Sequence, residues 1–299
     1  MATIKKEQAF IQPLNPIWYL PYVEKIDMLR LDMLHPVISG NKWFKLKHNL
    51  NDALAKGFDT ILTFGGAYSN HLLATAAAVK EYDLKSIGVV RGIYPEEELS
   101  PTLLECISNG MQLEFISREE YAKKDNDDWL KKLLDRHPRA YIIPEGGANE
   151  KGREGAEEIA EFISPEYTHI CIAVGTGTTF IGLRNALPAQ QEILGFVPMK
   201  QGQYIEDEIM PLIKGYKPWE LFDNWHFGGF GKWNEKLLAF MNNFYVLNNI
   251  PLDFVYTAKM MYGVEDLLPQ HFFPPNAKIL CIHTGGLQGN NSIQELMEY

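Results

Sequence analysis

The chain has 299 residues, 46% hydrophobic and 22% charged, enough for one large domain or two modest ones with a full core. Its formal net charge of -10 argues against an electrostatic hold on nucleic acid or an anionic membrane. No apolar run approaches the ~18 residues of a membrane span, and MATIKKEQAF lacks the apolar core of a signal peptide, so the expectation is a cytoplasmic protein.

In chain order, the first informative stretch is ISGNKWFKLK, residues 38–47. Gly40 and Asn41 read as a turn that presents Lys42 at the mouth of a helix rather than on its face. Leu46, Leu50 and Leu54 then fall four apart on one face, and Gly57 reads as the stop. On this reading Lys45 and Lys47 are solvated helix charges. DTILTFGG is a short apolar run ending in glycines, and NHLLATAAAVKEY after it has helical composition. KSIGVVRG, QLEFIS, RAYIIPEGG, THICIAVGTG, EILGFVP and AKILCIHTGG repeat the strand theme, most followed by a helix-like segment. This alternation predicts an α/β fold with mainly parallel sheets. No internal repeat or low-complexity linker marks a domain boundary. Cys106, Cys171 and Cys281 lie far apart with no CxxC, which predicts buried free thiols in a reducing compartment and no metal ligation.

Four apolar runs end in small, polar, glycine-rich loops: TFGGAYSNH, IPEGGAN, AVGTGTT and IHTGG. Ligands of open parallel sheets bind outside the carboxyl ends of the strands, so these loops imply one shared site, or two facing sheets with a cleft between them. In AVGTGTTFIGL, Gly175, Thr176, Gly177, Thr178 and Thr179 lead from a strand into a helix starting near Phe180. Glycines let amides approach an anion, threonines add hydroxyls, and the helix dipole favours negative charge. The loop reads as a phosphate cradle, without the lysine of a Walker loop and without GxGxxG spacing. A tight turn capped by threonine stays open beside it, as does a non-enzymatic phosphate- or nucleotide-binding protein. Ser69, Asn70 and His71 open an Ala-rich helix. They read either as N-caps and a structural histidine, or as an anion loop for a substrate carboxylate, with Asn70 donating to a ligand. Lys42 reads as a surface charge or a nucleophile. A phosphate cradle together with a loop-borne lysine is what a pyridoxal phosphate enzyme needs.

SGNKWFKL, TFGGAYSNH, PEGGAN, GTGTT, FVYTAKMMYG and HTGGLQG, in that order from about Ile26 to Gln288, resemble the 1-aminocyclopropane-1-carboxylate deaminase and D-cysteine desulfhydrase family. The resemblance implies a tryptophan synthase β-like fold: two open, twisted, mainly parallel sheets flanked by helices, with pyridoxal 5'-phosphate in the cleft between domains. It implies a larger domain of residues 1–46 and 150–299, with residues 47–149 inserted as a smaller one, and a homodimer. By resemblance, Lys42 is the Schiff-base lysine and Asn70 bonds the cofactor's phenolic oxygen. Ser69 is the catalytic serine beside the substrate, and Gly175 to Thr179 form the phosphate cup. Tyr256 faces the substrate, and Thr257 and Thr284 surround the pyridine nitrogen. Asn41, His71 and Phe230 complete the expected substrate surroundings.

The two branches of the family differ at these last positions. Ring-opening deaminases carry Glu after the tyrosine and Leu before the Gly-Gly, whereas desulfhydrase-type members carry small hydroxyl residues at both places. This chain has Thr257 and Thr284. A neutral hydroxyl holds a ring proton less well than a carboxylate, which favours expulsion of a good β leaving group. The deaminases also have a second active-site tyrosine, and the matching position in HFGGFGK is Phe230. The expected activity is β-elimination from a small amino acid, most like D-cysteine, with ring-opening deamination as the alternative.

Overall fold

The computed structural model describes residues 8–299. Two antiparallel strands, β1 (Ile11–Pro13) and β2 (Lys25–Arg30), come first. There follow α1 (Asn41–Ala55), β3 (Thr60–Gly65), α2 (Asn70–Glu81), β4 (Lys85–Arg91), α3 (Pro101–Ser108) and β5 (Met111–Ile116). Then come α4 (Arg118–Tyr121), α5 (Asp127–Arg136), β6 (Ala140–Ile143) and α6 (Glu150–Glu157). The remainder of the chain holds β7 (His169–Ala173), α7 (Thr178–Ala186), β8 (Glu192–Phe196), α8 (Tyr204–Ile209), β9 (Trp219–Phe222), α9 (Glu235–Asn248), α10 (Thr257–Leu267) and β10 (Lys278–His283). Among the described residues, no helix is long and apolar enough to cross a membrane.

The chain divides into two compact units, one of residues 42–155 and one of residues 8–41 with 156–299. The 42–155 unit contains a four-stranded sheet of order β5-β4-β3-β6, parallel throughout. The other contains a six-stranded sheet of order β1-β2-β10-β7-β8-β9, parallel except for β1. Each seven-residue-or-shorter strand expected from an apolar run forms; the central ones are covered on both faces and so read as continuous hydrophobic stretches, while β5 and β6 are half-buried edges. β7 and residues 279–282 of β10 are buried at every position, and Cys171 and Cys281 face each other there in register. All three cysteines are free and buried.

The strand orders locate the ligand-binding ends. In the 42–155 unit the chain runs outward from β3 to β4 and β5, then returns to place β6 on the other side of β3. In the other unit it runs from β7 to β8 and β9, then returns to place β10 on the other side of β7. Each sheet therefore has its topological switch between two neighbouring strands, β3 and β6 in one, β7 and β10 in the other. At such a switch the flanking loops diverge and leave a crevice at the carboxyl ends. TFGGAYSNH and IPEGGAN follow β3 and β6, and AVGTGTT and IHTGG follow β7 and β10. All four glycine-rich loops thus stand at switch points.

The sequence reading missed β1, β2 and β9. β2 alternates charge with apolar residues, and its charges are absorbed inside. Asp27, 2% exposed, accepts from Tyr167 Oη at 2.5 Å and pairs with Lys25 at 2.9 Å. Two local expectations are corrected. α1 begins at Asn41, so Lys42 belongs to its first turn rather than to a preceding loop. Leu46 and Leu50 are fully buried, but Leu54 is 40% exposed, and Ala53 takes the inward place near the helix end.

Candidate active site

In the 42–155 unit, α1 carries Lys42 and, one turn on, Lys45. Lys45 corrects the sequence reading: it is not a solvated charge but is 5% exposed. The IPEGGAN loop packs on it. A Cβ added at Gly147 (φ +70) would lie 3.1 Å from Lys45 Cβ, so the glycine both takes the left-handed backbone and admits the lysine stem. Burial, reinforced by the nearby Lys42 charge, holds the Lys45 amine well below the usual lysine range. The loop is pinned to α1 by reciprocal amide bonds between Asn49 and Asn149, 3.2 and 2.7 Å.

At the end of β3, Ser69 caps α2 by accepting from Leu72 N at 3.2 Å. Capping and function do not compete here, because the cap uses an oxygen lone pair and leaves the hydroxyl proton available. Gly65 makes room for it: a Cβ there would stand 2.6 Å from Ser69 Oγ. Asn70 Oδ1 is buried without a hydrogen-bond partner among the described residues, a state that costs free energy until a ligand fills it. His71 is 4% exposed. Its tautomer follows from its neighbours. Thr63 Oγ1 donates to Ile143 O at 2.7 Å and so accepts from His71 Nε2 at 2.9 Å, which leaves the lone pair on Nδ1. Burial first, then the charges of Lys45 and Lys42, push the imidazole well below its usual range, with the Pro144 carbonyl pulling weakly the other way. This unit therefore gathers two amines and a neutral imidazole beside an open amide and a free hydroxyl.

In the other unit, AVGTGTT leaves β7 and enters α7 at Thr178, two residues earlier than expected. Gly177 is the N-cap at φ +74, and no side chain caps the helix. Among the described residues the amides of Gly175, Thr176, Gly177, Thr178, Thr179 and Phe180 donate to no acceptor, and the first bond of the helix is Ile181 N to Gly177 O. Thr178 and Thr179 are nevertheless buried, 2% and 5% exposed. Orphan amides at a buried helix N-terminus call for an anion. Asn41 Nδ2 donates to Thr179 Oγ1 at 2.8 Å, so that hydroxyl keeps its own proton to give. A Cβ at Gly175 would lie 3.3 Å from the Tyr256 ring, which places the tyrosine against the start of the cradle. Phe230, 51% exposed, packs edge-on to Tyr256 with centroids 5.7 Å apart.

The IHTGG loop closes on the turn before α1. Gly40 sits at φ +66, and a Cβ there would fall 1.9 Å from Thr284 O, a contact only glycine permits. His283, fully buried, accepts from Gly285 N through Nδ1 at 3.2 Å and donates from Nε2 to Pro251 O at 2.8 Å, holding this loop in place. Thr284 is 5% exposed. Thr257 is fully buried and lies in a network that sequence reasoning missed. Asp253 accepts from Val255 N, Tyr256 N, Thr257 N and Thr257 Oγ1 at 3.1, 2.7, 2.9 and 2.5 Å. A carboxylate at this end of the helix is favoured by the helix dipole, but nothing in the local sequence marks Asp253 as the group that fills these amides. Among the described residues no group of His, Cys, Asp and Glu could hold a metal ion.

No family model matches the chain. Individual proteins do. A protein of Pyrococcus horikoshii bearing the name of 1-aminocyclopropane-1-carboxylate deaminase is 32% identical over 92% of this chain and 90% of its own length. A D-cysteine desulfhydrase of Klebsiella pneumoniae is 28% identical over 91% of each chain. The crystal structure of an ACC deaminase homologue superposes with a TM-score of 0.83 at 29% identity, covering 97% of this chain and 94% of that one. An O-acetylserine-dependent cystathionine β-synthase of Helicobacter pylori, 14% identical over 98% of this chain and 97% of its own, shares the fold with a TM-score of 0.68.

Proposed function

This chain belongs to the 1-aminocyclopropane-1-carboxylate deaminase and D-cysteine desulfhydrase family of pyridoxal phosphate enzymes, and on that premise we propose that it catalyses β-elimination from a small amino acid, most like D-cysteine. With one water consumed, the products are a 2-keto acid, ammonia and sulfide. Membership sets aside the non-enzymatic phosphate binder.

The residues present fit the cofactor that the family implies. The unfilled amides from Gly175 to Phe180 would hold its phosphate, with the Thr179 hydroxyl donating as well. Asn70, with its unpaired buried oxygen end, would meet its ring substituents. Thr257 and Thr284 would flank the ring nitrogen. When bound, pyridoxal phosphate supplies an aldehyde for an amine and a ring that draws electrons from a carbanion.

The chain's own residues do the rest. Lys42 supplies the amine, one turn before the buried Lys45, whose own amine is held well below the usual lysine range by burial and by the Lys42 charge. The His71 imidazole stays neutral and adds no positive charge there. Ser69 offers its hydroxyl proton to the substrate carboxylate, and Lys42 or Ser69 moves the proton at the substrate's α-carbon. Asn41 and His71 complete the substrate surroundings, and Phe230 and Tyr256 form one edge. The second Tyr hydroxyl of the deaminases is absent at Phe230.

One observation carries the choice of leaving-group chemistry. The Thr257 hydroxyl donates to the Asp253 carboxylate and accepts from the Asp253 amide, so it offers a ring nitrogen a neutral oxygen rather than a carboxylate, and the carboxylate behind it already takes four donors. Thr284 is likewise neutral. A ring supported this way is a weaker electron sink than one touching a carboxylate, which suits a thiol-type leaving group better than a carbon–carbon bond. Ring-opening deamination is the rival, favoured by the name of the Pyrococcus relative. The test is 2-keto acid release from a panel of D- and L-amino acids and the cyclopropane. Borohydride reduction with peptide mapping runs alongside, and label on Lys45 instead of Lys42 would displace the nucleophile assignment. By the same family reading we propose that residues 1–46 with 150–299 and residues 47–149 are the two domains, and that the protein is a homodimer.

A further inference from the structure

Lys259 lies in the first turn of α10, three residues after Tyr256, and is 2% exposed. Its Nζ donates to the carbonyls of His226 and Gly229 at 2.8 Å each and to that of Pro198 at 3.5 Å. Asp253, the acidic group whose field reaches it, has its oxygens filled by the amides of α10 and the Thr257 hydroxyl. The ammonium is therefore coordinated by main-chain carbonyls. Neutral carbonyl oxygens that replace a hydration shell are the coordination of a dehydrated monovalent cation.

The loop that supplies two of these carbonyls holds few bonds of its own. Phe227, Gly228, Gly229 and Gly231 have φ of 50°, 94°, 124° and 65°, a left-handed run that brings the carbonyls of His226 and Gly229 onto one amine. Its internal bonds are Gly229 N to His226 O at 3.0 Å, Lys232 N to Gly229 O at 3.1 Å and Gly228 N to His226 Nδ1 at 3.0 Å. The acceptors that close these turns, His226 O and Gly229 O, are the ones Lys259 binds. Phe230 follows Gly229 directly and packs on Tyr256. Burial pulls the ammonium down to about 8, so it is still a cation near neutral pH.

We propose that the Lys259 ammonium is a tethered monovalent cation filling a carbonyl-lined site, and that it fixes residues 226–231 and so seats Phe230 against Tyr256. The site stands on geometry alone. Its kinetic effect rests on the reading of Tyr256 as the substrate-facing tyrosine, which makes Lys259 a positioning residue.

Lys259→Ala leaves the carbonyls and opens a space that ammonium or potassium fits. Lys259→Met fills the stem and blocks the space with an apolar end. The holoenzymes are compared in ammonium or potassium chloride against lithium or choline chloride at equal ionic strength, reading hydrogen exchange over residues 226–232 together with kcat and KM. In lithium or choline, Lys259→Ala is expected to lose protection there, with kcat/KM down on the order of 10- to 100-fold and KM carrying most of it. Ammonium or potassium is expected to restore both toward wild type, while Lys259→Met stays impaired in every salt. An Ala variant no more responsive to these cations than the Met variant would overturn the proposal, as would wild-type protection in Lys259→Met. Protection rescued by ammonium with kinetics unchanged throughout would uphold the site and remove the Tyr256 reading. Should Lys259→Ala be insoluble, refolding yield in ammonium against lithium reads the same dependence, and equal yields overturn it.

Discussion

Buried polar groups decide what individual residues do here, and two of them lend themselves to direct measurement. His71 is held neutral by burial and by the lysine charges. In the unfolded chain it titrates near its ordinary value, so as pH falls through about 6.5 the unfolded state takes up a proton that the folded state refuses. Its stability contribution is present above that pH and is lost progressively below it. Unfolding free energy measured between pH 8 and 5 should decline, and His71→Gln should flatten the slope by up to about 1.4 kcal/mol per pH unit. An unchanged slope would show that the ring is not held neutral. Lys45 offers the complementary case. It is a buried amine depressed by desolvation, without a carboxylate partner among the described residues. Lys45→Met should raise stability by about 1–2 kcal/mol in denaturant titrations, because an apolar stem of similar volume carries no desolvation cost. A loss of stability would mean that the amine is satisfied in the fold. The sequence displayed Lys45 two residues before Lys47 with nothing to tell them apart. Only packing did so, burying one and leaving the other half-exposed over the Phe44 ring at 5.3 Å.

At the scale of elements, two helix starts bear the proposed site, and they are built in opposite ways. α10 begins on a carboxylate that fills its first amides. Asp253→Ala should cost about 3 kcal/mol, since several charge-assisted bonds go at once and the Tyr256 and Thr257 amides are left buried. Equilibrium unfolding checks this, and a cost below about 1 kcal/mol would show that water replaces the carboxylate. α7 begins with its amides unfilled, the state expected of a helix waiting for an anion. Gly177 sits at φ +74 with a Cβ position 2.7 Å from Ile209 Cγ1, so Gly177→Val meets both backbone strain and a clash. Pyridoxal phosphate affinity, read by absorbance titration of the apoprotein, should fall by at least about tenfold, equivalent to ~1.4 kcal/mol. Unaltered affinity would place the phosphate elsewhere. The strand-to-helix glycine loops were legible in the sequence because glycine and threonine directly after an apolar run mark a tight turn into a helix. Asp253 was not, because an aspartate between Leu252 and Phe254 acquires its meaning only when the chain turns its oxygens onto the next turn.

For the whole molecule the prediction concerns substrate. On one holoenzyme preparation, kcat/KM for D-cysteine should exceed that for 1-aminocyclopropane-1-carboxylate. Thr257 and Thr284 are neutral, and the Thr257 hydroxyl donates its hydrogen bond to Asp253. Tyr256 cannot discriminate, since both branches of the family keep a tyrosine there. Faster turnover of the cyclopropane would overturn the preference while leaving family membership intact. Global topology supports the placement of the chemistry independently of any residue assignment: in each sheet the strand order reverses between the two strands that bear glycine-rich loops.

The sequence by itself determined the α/β class, the strands that lie covered on both faces, and the glycine-rich loops that follow them, because composition and periodicity report burial and backbone freedom locally. The order of six motifs further fixed the family, a matter of pattern that needs no coordinates. What it left undetermined was everything set by partners distant in the chain. β2 and β9 become strands through neighbours hundreds or tens of residues away, β2 beside β10 and β9 beside β8. Lys259 stands in the sequence beside two methionines with nothing to single it out, and only the fold brings the carbonyls of residues 198, 226 and 229 around it. Long-range contacts of this kind are decided by the free energy of packing the whole unit, and a local stretch of sequence carries no record of them.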